Sequence, residues 1–339
     1  MKRISVALAT YNGGRFLHEQ LQSLSQQSLS PHELVVSDDK SDDDTLSIVR
    51  SFAEKAPFPV VVIEGEGRLG YRLNFRRAAN RCSGELIAFC DQDDIWKDNK
   101  LRIMARCFDD PTVQLAYHNA TVFNEILTRP LHDAAEELSD LGQHPLPPFK
   151  FSNGLLQIFR ADLRRYDYLW DKSVDHNEGN VILAHDQWYF FLALLLGRVE
   201  FVNQLLLMYR QHGGNTYGAK VKETMRERLF KRLIHFGESD AWAARGAKSR
   251  ARIAAEIASI EGFRDAQEIV DEYRALAERM ERRAKTYSLP GIVGRASTAA
   301  RSVACGDYQG GPWRFQRASI VRDLWSGVLM AKRKDPTRA

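Results

Sequence analysis

The sequence predicts an α/β fold, a mostly parallel sheet flanked by helices, with a helical extension after it. Short apolar runs alternate with stretches of helical spacing from Ile4 to Tyr209, as strands and crossover helices do. Several of those runs end in polar or acidic turns. The charge also changes sign along the 339 residues: residues 1–219 carry 23 Lys/Arg against 29 Asp/Glu, net −6, and residues 220–339 carry 25 against 15, net +10. This break sets the expected domains at 1–219 and 220–339.

Ile4 to Ala9 reads as the first strand, Thr10-Tyr11-Asn12-Gly13-Gly14 as a glycine turn, and Phe16, Leu17, Gln20, Leu21 and Leu24 as one face of a helix. Leu34-Val35-Val36 is a second strand that stops at Ser37-Asp38-Asp39, ahead of a helix through Ile48, Val49 and Phe52. Val60 to Ile63 is a third. Leu73, Phe75, Ala78 and Ala79 mark a helix before the strand Leu86 to Cys90, which runs into Asp91-Gln92-Asp93-Asp94. Parallel strands bring such turns to one edge of a sheet, where open α/β folds bind ligands. Beyond a helix from Leu101 toward Phe108 come a strand at Val113 to Tyr117 and an acidic, proline-containing loop from Leu127 to Pro148. Phe151 to Phe159 regains sheet character, with Gly154 as a place for close backbone approach. His185-Asp186-Gln187-Trp188 opens an apolar helix ending at Gly197, and Val199 to Tyr209 delivers Arg210-Gln211-His212-Gly213-Gly214-Asn215. From Lys222 onward the spacing is helical, through Ile253, Ile257 and Ile260, then Ile269, Tyr273, Leu276 and Met280, to a last stripe from Trp313 to Leu329.

Composition removes several classes of function. Cys82, Cys90, Cys107 and Cys305 lie far apart without metal-ligand spacing, which argues against a disulfide framework or a zinc site and for a reducing compartment. No run reaches the roughly 18 apolar residues of a membrane span. The glycine pair lacks both the dinucleotide fingerprint and the phosphate-loop lysine. Residues 38–49 fail as a calcium loop because Asp43 and Val49 stand where Gly and Glu are needed. A cytoplasmic protein is expected. The basic extension leaves open solvated helix faces, packing on the main domain, or contact with the inner face of a plasma membrane.

Three aspartates in four positions repel one another unless a cation offsets them, and hard oxygen donors after a buried strand suit Mg²⁺ or Mn²⁺ shared with a diphosphate. The alternative is an acidic turn in which Asp93 or Asp94 caps a helix starting near Trp96. Asp186 has the same two readings, a helix cap or a general base.

The blocks ALATYNGGRFLHEQLQSLSQQ from Ala7, VVSDDKSDDDTL from Val35, LGYRLNFRRAA from Leu69, IAFCDQDDIWKDNKL from Ile87, HDQWYF from His185 and YRQHGGN from Tyr209 occur in this order. Together they resemble family-2 glycosyltransferases of the GT-A, Rossmann-like fold, especially bacterial rhamnosyltransferases. The resemblance implies a catalytic domain over 1–219 that binds a nucleotide-sugar donor through Thr10, Asn12, Asp38, Asp39, Asn74 and Asp91. Asp38 would accept the imide N3–H of uracil or thymine, since a carboxylate is repelled by the bare ring nitrogen of cytosine. Lys40 stands where the family commonly has glycine. Asp91 and Asp93 look like the D-x-D pair, with His212 as a further ligand of Mg²⁺ or Mn²⁺. Asp186 resembles the catalytic base, and His185 and Trp188 are expected to wall the acceptor. The implied reaction is inverting transfer, with dTDP-L-rhamnose the favoured donor and UDP-hexoses next. The acceptor would be a saccharide or lipid-linked saccharide of a bacterial surface polysaccharide such as lipopolysaccharide. Three rivals stand: a nucleotidyltransferase, for which residues 11–15 supply no lysine-bearing phosphate loop; a non-catalytic carbohydrate- or membrane-binding scaffold, against which Asp91, Asp93 and Asp186 argue; and a nucleic-acid reader using the basic tail, which requires salt-sensitive binding to random DNA.

Overall fold

A computed structural model describes residues 2–124, 128–134, 138, 149–213, 215, 236–262, 266–308, 324 and 328. The chain forms two compact units, Met1–His144 with Lys150–Asp167 and Ala184–Ala219, and Pro145–Phe149 with Tyr168–Leu183 and Lys220–Ala339.

The first unit is built on strands β1 (Ile4–Thr10), β2 (Glu33–Asp38), β3 (Val60–Glu64), β4 (Leu86–Cys90), β5 (Ile95–Trp96), β6 (Val113–Phe123), β7 (Thr128–Pro130), β8 (Gln157–Arg160) and β9 (Arg198–Arg210). Their order is β3-β2-β1-β4-β8-β6-β9-β5, with β7 on β6. Pairings β1–β2, β1–β4, β2–β3 and β6–β9 are parallel. Those of β8 with β4 and β6, of β5 with β9 and of β7 with β6 are antiparallel. The parallel part coincides with the alternation read from the sequence, whereas β8 turns antiparallel because the chain enters it from the far edge. Helices α1 (Gly14–Ser25), α2 (Thr45–Ala53), α3 (Tyr71–Arg81), α4 (Lys100–Cys107) and α5 (His185–Leu196) flank the sheet. β2 and β4 are wholly buried and β1 almost so, which explains their near-continuous apolar runs.

Two expected boundaries move. Ile95–Trp96 is a strand against Met208 and Leu207, so neither Asp93 nor Asp94 caps a helix there; helix α4 starts at Lys100 after Asn99. Helix α5 begins at His185 with Ala184 at its N-cap, which puts Asp186 inside the first turn. The loop expected over 127–148 contains β7, and most of its remainder lies outside the described residues.

In the second unit α6 (Phe236–Glu261) and α7 (Ala266–Ser288) pair through Ala247, Ala254 and Ile257 and through Val270, Leu276 and Ala277, all buried. Ile253 is buried as its spacing predicts, but Ile260 is exposed. Helix α8 (Ile292–Ala304) follows. Phe149 belongs here because its ring stacks on His176 at 4.1 Å and the Arg250 guanidinium lies 4.6 Å from the same ring. All but residues 324 and 328 of the stripe expected over 313–329 fall outside the described residues.

Candidate active site

Parallel strands β1, β2 and β4 end side by side, Thr10 opposite Asp38 and Leu8 opposite Cys90. Their turns are knit into one rim. Gln92, the middle residue of the D-x-D, accepts from Tyr11 N at 2.9 Å and donates to Tyr11 O at 3.0 Å. Gly13 packs on the Gln92 side chain so closely that a Cβ would overlap it. Asn12 adopts a left-handed φ of 47°, and its side chain accepts from Asp42 N at 3.0 Å. The amides of Gly13 and Gly14 donate to Thr45 Oγ1 and Asp43 Oδ2, both at 2.9 Å, so the glycine turn spends its donors on the neighbouring loop.

Several predicted nucleotide contacts hold these turns in shape. Asp38 is fully buried; its Oδ1 accepts from Ser41 N at 2.8 Å and its Oδ2 from Thr10 Oγ1 at 2.8 Å and Ser41 Oγ at 2.6 Å. Asp39 accepts from Leu69 N and Gly70 N at 2.7 and 2.8 Å, anchoring the loop before α3. Asn74 is buried, donates to Thr10 O at 3.1 Å and accepts from Arg77 at 3.1 Å. Arg77 also reaches Ser37 Oγ at 2.7 Å, so it braces the β2 end. Lys40 has a left-handed φ of 66°, a conformation that glycine adopts without strain.

Past β4 the acids gather. Asp91 and Asp93 keep some surface, while Asp94 is fully buried. Burial, then the carboxylates of Asp93 and Asp186, push the Asp91 carboxyl up to about 7, with Lys100 opposing them. That influence puts the first turn of α5 beside the D-x-D, although the two are far apart in sequence. Asp186 Oδ1 accepts from Gln187 N at 2.8 Å. The end of β9 closes the other side: His212 Nε2 lies 2.8 Å from Asp93 Oδ2, and Asn215 Nδ2 donates to the same oxygen at 3.2 Å. Thus Asp91, Asp93, Asp186 and His212 converge.

His185 and Trp188 do not form an acceptor wall. Trp188 is fully buried and its Nε1 donates to Asp167 Oδ1 at 2.9 Å. His185 is buried and stacks on Phe75 at 3.9 Å. The reason is the helix itself, almost entirely buried, which turns both rings into the core while Asp186 faces the rim. The close approach predicted at Gly154 is to His185, whose Nε2 a Cβ there would strike.

Three residues of the site were missed. Lys100 is fully buried, donates from Nζ to Leu155 O at 2.9 Å and lies 3.6 Å from the Trp96 ring centre. Burial pushes its ammonium down to about 7, against the pull of Cys90, Asp94 and Asp91. It is an internal counter-charge beneath the acids. Arg210 donates through Nε to Asp93 O at 3.0 Å, through its amide to Asp94 Oδ1 at 3.0 Å and through Nη2 to Glu19 at 2.6 Å. Arg210 and Asn215 stand in the same block as His212, and that proximity was the available signal.

Residues 5–171 match glycosyl transferase family 2. An uncharacterised glycosyltransferase of Nostoc sp. PCC 7120 is 30% identical over 235 residues, 66% of this chain and 69% of that protein. The chain belongs to glycosyltransferase family 2. This glycosyltransferase is also 25% identical to the dTDP-rhamnosyl transferase RfbG of Shigella flexneri, over 63% of its own length and 74% of RfbG. The crystal structure of S. aureus TarS residues 1–349 in complex with UDP superposes with a TM-score of 0.52 at 18% identity, covering 82% of this chain and 91% of that one, which shows the shared GT-A fold. Among the described residues of this family-2 enzyme, no group of three or more His, Cys, Asp or Glu side chains is arranged to hold a metal unaided. No helix among them is long and apolar enough to cross a membrane.

Proposed function

We propose that this glycosyltransferase inverts the anomeric centre of a nucleoside-diphosphate sugar in one displacement, with residues 1–219 as catalytic domain and 220–339 as an accessory helical region. The observation that carries the reading is the meeting of distant segments at one rim: Asp93 Oδ2 lies 2.8 Å from His212 Nε2, and Asp186 in the first turn of α5 is close enough to Asp91 for their charges to interact. It sets a charge-neutralising centre and a candidate base side by side. Asp186 takes the proton from an acceptor hydroxyl as that oxygen attacks the sugar carbon, because a neutral hydroxyl is too weak a nucleophile. Its place in the first turn of α5, with Gln187 N holding Oδ1, orients the carboxylate. Asp91 would border the donor, and the nucleobase would lie against the rim made by the Tyr11–Asn12 and 38–41 turns, which Asn12 N joins by donating to Ser41 Oγ at 2.9 Å. There Asp38, fully buried and already accepting from Ser41 N, Ser41 Oγ and Thr10 Oγ1, would take the imide N3–H once the 38–41 turn opens.

By its chemistry the donor set suits a divalent cation, though the described residues form no complete site for one. Repulsion among buried carboxylates is what such an ion relieves, and carboxylate oxygen with imidazole nitrogen suits Mn²⁺ or Mg²⁺ whose shell a diphosphate completes. Asp93, Asp91 and His212 would hold it, and when bound it would stabilise the charge of the leaving nucleoside diphosphate.

RfbG supports dTDP-L-rhamnose as donor. A UDP-hexose is the second reading, favoured by 29% identity over 121 residues to the E. coli enzyme WfgD, named UDP-Glc:alpha-D-GlcNAc-diphosphoundecaprenol beta-1,3-glucosyltransferase. That name also supports a lipid-linked saccharide acceptor for surface polysaccharide. A panel of dTDP-, UDP- and GDP-sugars, assayed for donor hydrolysis with and without Mn²⁺, tests the reading. Metal-stimulated turnover of a dTDP- or UDP-sugar is expected; binding of none of them would leave a non-catalytic scaffold.

A further inference from the structure

Helix α8 is amphipathic in the wrong direction for a protein surface. Its buried positions are Ala299 and Ser302, whereas Ile292 is 50% exposed and Val293 80% exposed. Ala296, Ala300, Val303 and Ala304 are exposed as well. At 100° per residue these six fall within one arc of the helix, with Arg301 along one border and Arg295 along the other. Leu289, also exposed, extends the apolar surface onto the turn before the helix. A helix that buries alanine and serine while presenting isoleucine and valine has its best hydrophobic surface uncovered.

Charge identifies what covers it. Residues 282–306 contain Arg282, Arg283, Lys285, Arg295 and Arg301 and no acidic residue. Arg282 is held by Asp307 at 2.7 Å and buried Arg283 faces Asp240 at 3.5 Å, while Lys285 is exposed on α7 and Arg301 is exposed beside the apolar face. A second copy docked face to face would set Arg295 and Arg301 against their own kind. Of residues 309–339, Val328 meets α8 at Arg295, whose Nε and Nη2 donate to its carbonyl at 3.1 and 2.9 Å, yet Ile292 and Val293 remain exposed. An apolar strip bordered by cations and free of carboxylates instead matches the boundary between anionic headgroups and acyl chains.

We infer that α8 is an interfacial anchor that lays Ile292, Val293 and Val303 into the headgroup region of an anionic bilayer. This rests on the proposed function in that a lipid-linked acceptor places the reaction at a membrane. The anchor itself needs no acceptor, so each can fail without the other.

The test is sedimentation of the full chain with phosphatidylcholine vesicles, with and without phosphatidylglycerol, at physiological salt. The parent is expected to bind the anionic vesicles and to bind neutral ones far less. Ile292→Asp/Val293→Asp should weaken that binding by about tenfold or more, and Arg301→Glu by severalfold, with nucleotide-sugar binding in solution unchanged in both. Ile292→Ser/Val293→Ser repeats the first comparison without new charge. No binding by the parent, equal binding by parent and serine variant, or a dimer in gel filtration that the aspartate variant dissolves would each overturn the anchor. Failure to bind any nucleotide sugar would instead remove the proposed function and leave the vesicle result standing.

Discussion

His212 Nε2 lies 2.8 Å from Asp93 Oδ2, joining the turn after β9 to the turn after β4. The contact is reinforced by Arg210, which donates to Asp93 O, and by Asn215, which shares Asp93 Oδ2. Asp93 is thereby fixed from three positions on a single segment, two at its carboxylate and one at its backbone carbonyl. If imidazole and carboxylate act together on a cation, His212→Ala weakens Mn²⁺-promoted nucleoside-diphosphate binding about ten- to hundredfold while metal-free binding changes little. Isothermal titration with and without Mn²⁺ separates these; an equal loss in both would mean that His212 only supports the loop.

Asp186→Asn keeps the shape of the residue and the backbone bond at Gln187 but removes the proton acceptor. The kcat should fall by about 10²- to 10⁴-fold, with donor affinity within about twofold of the parent. Near-normal turnover excludes Asp186 as the base.

Lys40 pays a steric penalty at φ 66° that glycine avoids. Against this, glycine loses more chain entropy on folding. The balance predicts that Lys40→Gly raises stability by about 0.5–1 kcal/mol, read as a higher thermal midpoint. A lowered midpoint would show that the lysine side chain contributes more than its backbone costs.

His176 in the second unit is held neutral in the fold: burial, then the Arg250 guanidinium, push its imidazole down to about 3, although Asp175 Oδ1 lies 3.9 Å away. Below the ordinary value near 6.5 the unfolded chain takes up a proton that the folded chain refuses, so stability is complete above that pH and declines as pH falls toward 3. The slope is about 1.4 kcal/mol per pH unit for this group. His185, pushed down to about 3 by burial and Arg72, adds to it. Urea midpoints measured between pH 7 and 5 should therefore drop for the parent and drop less for His176→Gln; parallel curves count against the assignment.

Much of the catalytic fold was legible because it follows from local pattern. The runs that became β1, β2 and β4 are buried on both faces, and such strands must be nearly all apolar. The D-x-D was legible because like charges in adjacent positions call for a counter-charge. Lys100 was not legible as part of that answer: a lysine immediately before a predicted amphipathic stretch reads as solvent-exposed, and only its burial and contact with Leu155 O show otherwise. Trp188 and His185 were misplaced for a related reason. Helix α5 is apolar all round, and such a helix gives no periodicity from which to tell its inward from its outward side.

By itself the sequence determined the alternation of strand and helix, the acid-tipped strand ends, and the change of charge after residue 219, since each depends on residues near one another in the chain. Only the tertiary structure decided that Asp91 feels Asp186, that Arg210 and Asn215 tether Asp93, and that α8 turns its valines outward. These depend on pairings across long stretches of chain. Burial and through-space charge follow distance in the fold, and sequence spacing does not record that distance.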